Sequence, residues 1–117
     1  GMRIQSAKAK GRRCAQQARE ALLKAAPELE EDDILVTSSS VTGEDLKFSP
    51  KARERYPFAV ECKNQEKLAI WAALEQAQTH VKGNNRIPTL IFKRNKTKLF
   101  IAMGLEEFLR IYEPRRS

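Results

Sequence analysis

The sequence predicts a mixed α/β domain, a central sheet of about five strands flanked by helices. Three observations predict it. Apolar residues recur at helical spacing in three segments, and short β-branched or alternating runs lie between them. Their order is helix, three strands, helix, two strands, helix, which suits helices packed on a sheet. With 117 residues the chain has the size of one compact domain and is too short for two. Residues 1–117 are therefore read as a single domain, with 1–6 and 113–117 expected to be flexible ends.

From about Ala7 to Ala26 the residues are strong helix formers without proline, and Ala15, Ala18, Leu22, Leu23 and Ala26 share one side. Pro27 ends that helix. Ile34 to Thr37 is short and β-branched and reads as a strand. The small polar run Ser38 to Gly43 reads as an exposed loop. Asp45 to Phe48 reads as the next strand, with Leu46 and Phe48 on one face and Asp45 and Lys47 on the other. Ser49-Pro50 supplies an N-cap and a proline at the first helical position, so Lys51 to Arg55 is read as one short helical turn. Pro57 opens a strand, Phe58 to Lys63, whose alternation sets Phe58, Val60 and Cys62 against Ala59, Glu61 and Lys63.

The next helix is expected over about Lys67 to Lys82, stopping at Gly83-Asn84-Asn85. Ile70, Trp71, Leu74, Ala77, Gln78 and Val81 are assigned to its inner face. Pro88 to Lys93 and Leu99 to Met103 form a hairpin through Asn95-Lys96. A last helix, Leu105 to Tyr112, is expected to turn Leu105, Phe108, Leu109 and Tyr112 inward.

Composition removes several classes of function. Hydrophobic residues make up 41% of the chain, enough for a core. No apolar run approaches the roughly 18 residues of a membrane span. The N-terminus is basic and polar where a secretory leader would be apolar, so a soluble cytoplasmic protein is expected. Cys14 and Cys62 are read as free thiols. His80 is the lone histidine, which excludes a zinc finger or a His-pair zinc site; it is assigned to an exposed helix end with no role. Any catalysis must rest on carboxylates and lysine.

The net charge of +7 points to a polyanionic partner. The charge is segregated. Lys8, Lys10, Arg12 and Arg13 form one basic group, Lys51, Arg53 and Arg55 a second, and Lys93, Arg94, Lys96 and Lys98 a third. Acidic residues bunch instead at Glu28, Glu30, Glu31, Asp32 and Asp33. Lys93 and Arg94 are assigned to phosphate contacts, and the Ser38 to Ser40 loop, Ser39 included, can hydrogen-bond phosphates.

Glu61-Cys62-Lys63 carries the chemistry. A strand projects Glu61 and Lys63 to one side, and Asp45 lies on the polar face of the strand before it. If those strands are neighbours, two carboxylates converge with a lysine beside them. Phosphodiester hydrolysis uses that combination: hard oxygens hold Mg²⁺, and a lysine orients the attacking water and stabilises developing charge. The backbone carbonyl of Cys62 is a further candidate metal ligand. A plain ion pair between Glu61 and Lys63 would leave the same trace in the sequence.

In these residues the chain resembles the PD-(D/E)XK nucleases, restriction-endonuclease-like in fold, and within them archaeal Holliday junction resolvases and small phage-encoded relatives. Lys10-Gly11-Arg12, Ser38-Ser39-Ser40, Gly43-Glu44-Asp45, Ser49-Pro50-Lys51-Ala52-Arg53, Glu61-Cys62-Lys63-Asn64, and Trp71 with Gln76 carry the resemblance, from about Lys8 to Tyr112. It implies Asp45 and Glu61 as metal ligands, Lys63 as the catalytic lysine and Gln76 as a helix glutamine near the site. It also implies a first-helix carboxylate at the site, for which Glu20 is preferred over Gln16. The proline that often precedes the first acid is replaced by Gly43-Glu44. The implied activity is a Mg²⁺-dependent DNA endonuclease, with Mn²⁺ able to substitute, acting on branched DNA as a homodimer in a bacterial or phage-infected cell. The rivals are a DNA-binding module that keeps the fold without cutting, and a nuclease directed at RNA.

Overall fold

A computed structural model describes residues 6–37, 43–81 and 83–112. Helix α1, Ala7–Ala25, starts where the Ser6 hydroxyl accepts the Ala9 N–H at 3.1 Å, an N-cap. Its buried line is Cys14, Ala15 and Ala18, small side chains that let the helix lie close to the strands beneath it. The Cys14 thiol is 3.7 Å from the Lys63 carbonyl oxygen. Arg19 ties the helix to the next segment, its Nε donating to Ile34 O at 2.6 Å and its Nη2 to Glu31 O at 2.8 Å.

A single 3-10 turn, Glu31–Asp33, leads into β1, Ile34–Val36, which pairs antiparallel with β2, Leu46–Phe48. The intervening residues 38–42, with Ser39, lie outside the described residues. Gly43 has φ 121°, a conformation open to glycine, where the chain turns back toward Asp45. Helix α2, Pro50–Arg55, begins as its proline signal predicts: the Ser49 hydroxyl accepts the Ala52 N–H at 3.0 Å.

Strands β3, Phe58–Asn64, and β4, Ile87–Lys93, are parallel, with Glu61 opposite Leu90. Helix α3, Ile70–Gln78, lies on the connection between them. Strand β5, Phe100–Ala102, runs antiparallel to β4, and α4, Leu105–Ile111, follows.

The five strands do not form one central sheet. They form a two-stranded sheet, β1–β2, and a three-stranded one, β3–β4–β5. Asp45 explains the division. Its N–H donates to Val60 O at 2.9 Å, as a ladder between β2 and β3 would require. The Cys62 N–H then donates to the Asp45 side chain, Oδ2 at 2.7 Å, instead of to a backbone carbonyl. The ladder ends where the carboxylate intrudes.

Ile34, Leu46, Val60 and Ile87 are fully buried and join both sheets in one core. Tyr56 stacks on Phe58 at 5.9 Å, meets Phe48 edge-on at 6.4 Å, and donates its hydroxyl to Leu22 O at 2.6 Å.

Two helices differ from expectation. In α3 the buried residues are Ala73 and Ala77, and Trp71 is 79% exposed. Trp71 lies two residues, about 200° of helical rotation, before Ala73, so it cannot share that face. In α4 the expected inward residues Leu105, Phe108, Leu109 and Tyr112 are all exposed. No helix among the described residues is long and apolar enough to cross a membrane. Cys14 and Cys62 are both free, as expected, and both buried.

Candidate active site

Strand β3 is buried on both faces from Phe58 through Cys62, so Glu61 enters the interior, 4% exposed. A carboxylate there must find partners. Glu61 Oε2 lies 2.8 Å from His80 Nε2, and its Oε1 lies 3.5 Å from Lys63 Nζ. An ionised carboxylate only accepts, so the His80 ring N–H is the donor. Asp45, one residue before β2, reaches the same strand through its bond to the Cys62 N–H.

Asp45, Glu61, Cys62 and Lys63 line one cleft of about 290 Å³, with Lys8, Gly11 and Arg12 of α1 on the facing wall. Burial raises the Asp45 pKa above the usual carboxylate range, and the negative charge of Glu61 pushes it the same way. The Cys62 N–H bond and Lys63 oppose that shift. A carboxylate that repels its neighbour in this way gains from a cation placed between the two.

The donor set suits a hard divalent ion. Asp45 and Glu61 offer oxygens, and Cys62 can add only its carbonyl, because its hydrogen bond with Cys14 and its burial push the thiol pKa up. No group of three or more His, Cys, Asp or Glu side chains among the described residues could hold a metal by itself. Mg²⁺ tolerates so sparse a set, because it commonly keeps several waters. Asn64 lines the cleft as well, and its Oδ1 is buried without a hydrogen-bond partner among the described residues.

Of the residues singled out in the sequence, the fold brings Asp45, Glu61, Cys62, Lys63, Lys8 and Arg12 to this cleft. It does not bring Glu20. Glu20 and Gln16 line a neighbouring depression with Arg19 and Leu35, one turn or more along α1 from the residues facing the carboxylates. Gln76 is exposed and lines a shallow hollow with Lys63, Leu68 and Ala72, outside the cleft. Lys10 and Arg13 do not line the cleft, nor do Lys51 and Arg53, which lie on α2 beyond the far end of β2. Lys93 and Arg94 border a separate depression with Phe92 and Phe100, joined to the cleft through Gln65.

His80 overturns its sequence assignment. Its side chain is 11% exposed and bonded to Glu61. The signal was present: Ala73, Ala77 and His80 stand at i, i+4 and i+7, so helical periodicity puts His80 on the inward line. Arg86 was also missed. It pairs with Glu44 and donates Nη2 to Phe58 O at 2.5 Å, which holds the residue before Asp45 against the start of β3. Glu44 therefore points away from the carboxylate pair.

Residues 34–115 match the model of a family described as "phage putative PDDEXK endonuclease". The chain belongs to that family. The match takes in β1 through α4 of this phage PDDEXK endonuclease family member, including Asp45, Glu61, Lys63 and His80. Helix α1, which supplies the facing wall of the cleft, precedes the matched segment. No curated protein and no solved structure matches the chain.

Proposed function

We propose that the protein is a metal-dependent endonuclease that hydrolyses phosphodiester bonds in DNA, with branched DNA as its substrate. The observation that carries this reading is the convergence of Asp45, Glu61 and Lys63 on one cleft wall, opposite the cations Lys8 and Arg12. Family membership supports it.

Asp45 and Glu61 would hold Mg²⁺, with Mn²⁺ as a substitute, beside the Cys62 carbonyl. The bound ion would neutralise charge on the scissile phosphate and acidify a water. Lys63 would orient that water and offset negative charge building on the phosphoryl oxygens. Lys8 and Arg12 grip the backbone phosphates flanking the scissile one. Strand β3 and the His80 contact position the Glu61 carboxylate, which would meet the ion with little reordering. Cutting two symmetric strands of a junction calls for two sites and hence a homodimer. The setting that fits is the cytoplasm of a phage-infected bacterium.

The test is cleavage of labelled four-way junction, linear duplex and single-stranded DNA, with Mg²⁺ or with EDTA, beside Lys63→Ala. Mg²⁺-dependent cutting that falls by about a hundredfold or more in the variant is the expected result. The preferred substrate separates a junction enzyme from a general endonuclease, and parallel duplex RNA separates DNA from RNA. Tight binding with no cutting of any substrate would replace the enzyme with a DNA-binding module.

A further inference from the structure

Three side chains stand in a row across the larger sheet. Lys63 is opposite Phe92 in the β3–β4 ladder, and Phe92 is opposite Phe100 in the β4–β5 ladder. Residues paired in this way turn their side chains to one face. Phe92 and Phe100 accordingly meet, with ring centroids 5.9 Å apart, and Phe100 at the sheet edge stays 47% exposed. With Leu68 they form the apolar part of a hollow of about 290 Å³, which shares Gln65 with the cleft. Cations border the rings. Lys93 and Arg94 line the hollow, and Lys98 Nζ lies 5.6 Å from the Phe100 centroid. Glu66 lines it too, but its Oε2 is engaged by the Asn95 N–H at 2.9 Å. The Arg94 N–H donates to Thr97 Oγ1 at 3.2 Å, which ties the turn that carries these cations.

We propose that Phe92 and Phe100 are a stacking platform for an unpaired base of a DNA strand, whose phosphates Lys93, Arg94 and Lys98 hold. Aromatic faces beside cations are the combination that binds single strands. The occupant follows from the mixture. A duplex hides its base faces in its own stack and offers phosphates alone, which would leave the rings unused. An apolar partner would strand three cations at its rim. An unpaired nucleotide supplies a π-face and a negative charge together. Position gives the second argument. At a strand spacing of about 4.8 Å, Phe100 lies about 10 Å along the row from Lys63. That span is no more than about three nucleotides at roughly 3.4 Å each. The platform rests on the reading of the cleft as a DNA site, and it narrows the substrate to strands unpaired within about three nucleotides of the cut.

The test is fluorescence anisotropy of the full chain in EDTA with two labelled strands of equal length, a thymidine oligonucleotide and the same backbone with abasic residues. Both carry the same phosphates, so the difference between them reads the bases. The thymidine strand should bind about tenfold more tightly. Phe100→Leu keeps an apolar side chain at the sheet edge and removes the flat ring, and it should bring the two affinities together. If circular dichroism shows that this variant does not fold, Phe100→Val decides in the same way. Arg94→Ala/Lys98→Ala should weaken both strands alike. Equal affinity of the two strands for the wild type overturns the platform, as does a base preference that survives in the folded Phe100 variant. Mg²⁺-dependent cutting in the nuclease assay without base preference here overturns the platform alone. Base preference without cutting keeps the platform and overturns the nuclease.

Discussion

His80 Nε2 lies 2.8 Å from Glu61 Oε2, joining the turn after α3 to the carboxylate buried in the middle of β3. The pair leaves the other oxygen, Oε1, facing Lys63. His80 thus reaches the candidate site through Glu61.

His80→Ala should remove the donor and free the Glu61 rotamer. Partners that orient a metal-holding carboxylate are worth about 10–100-fold in metal affinity or activity. Leaving a buried oxygen unsatisfied costs about 1–3 kcal/mol. Mn²⁺ binding by calorimetry should weaken by about tenfold at least, and His80→Gln, which keeps an N–H donor, should recover part of the loss. Unchanged Mn²⁺ affinity in a folded His80→Ala protein would make the contact purely structural.

Much of this was legible beforehand. Capping residues and prolines locate α1, α2 and β3 nearly to the residue, because those signals act within one turn of chain. The carboxylates and Lys63 were also readable, since strand alternation is local. Three things were not. Whether β2 and β3 would form one sheet depended on the Asp45 side chain taking a backbone donor, a contact spanning 17 positions. Arg86 reaches Glu44 across 42 positions, beyond any local pattern. The apolar line of α4 was assigned to the protomer's core, yet its residues are exposed, because spacing aligns apolar side chains without showing what they pack on.

Asp45 has two separable duties. It is a candidate metal ligand, and its Oδ2 accepts the Cys62 N–H. Asp45→Asn keeps an acceptor and should lose the metal response while melting close to the wild type. Asp45→Ala should lose the metal response too, with an added cost of about 1–3 kcal/mol for the orphaned N–H. Urea titrations with and without Mg²⁺ separate the two. Equal stabilisation of wild type and Asp45→Asn by Mg²⁺ would remove Asp45 from the ligand set.

Asp33 sets a pH dependence. Its Oδ2 accepts the Glu30 N–H at 2.7 Å and its Oδ1 accepts the Ser49 hydroxyl at 2.7 Å. These bonds, the Glu30 one first, hold its pKa below the usual carboxylate range. A depressed folded-state pKa stabilises above the unfolded value, about 3.9, and that stability is lost as pH falls through the folded one. Asp33→Asn should therefore melt below the wild type at pH 7, and the gap should close below about pH 4. A gap that persists in acid would mean that the hydroxyl and N–H contacts matter without the charge.

Lys8 and Arg12 face the carboxylates across the cleft, whereas Lys51 and Arg53 lie on α2, outside it. Each phosphate contact contributes about 0.9 to the slope of log affinity against log salt. Lys8→Ala/Arg12→Ala should lower DNA affinity and flatten that slope by about 2. The loss is then larger at low salt than at high salt, because fewer counterions are released on binding. Lys51→Ala/Arg53→Ala should change the slope less. Fluorescence anisotropy with a labelled duplex over a salt series makes the comparison. If the α2 pair flattened the slope as much as the α1 pair, the DNA track would have to extend past the cleft and along β2 to α2.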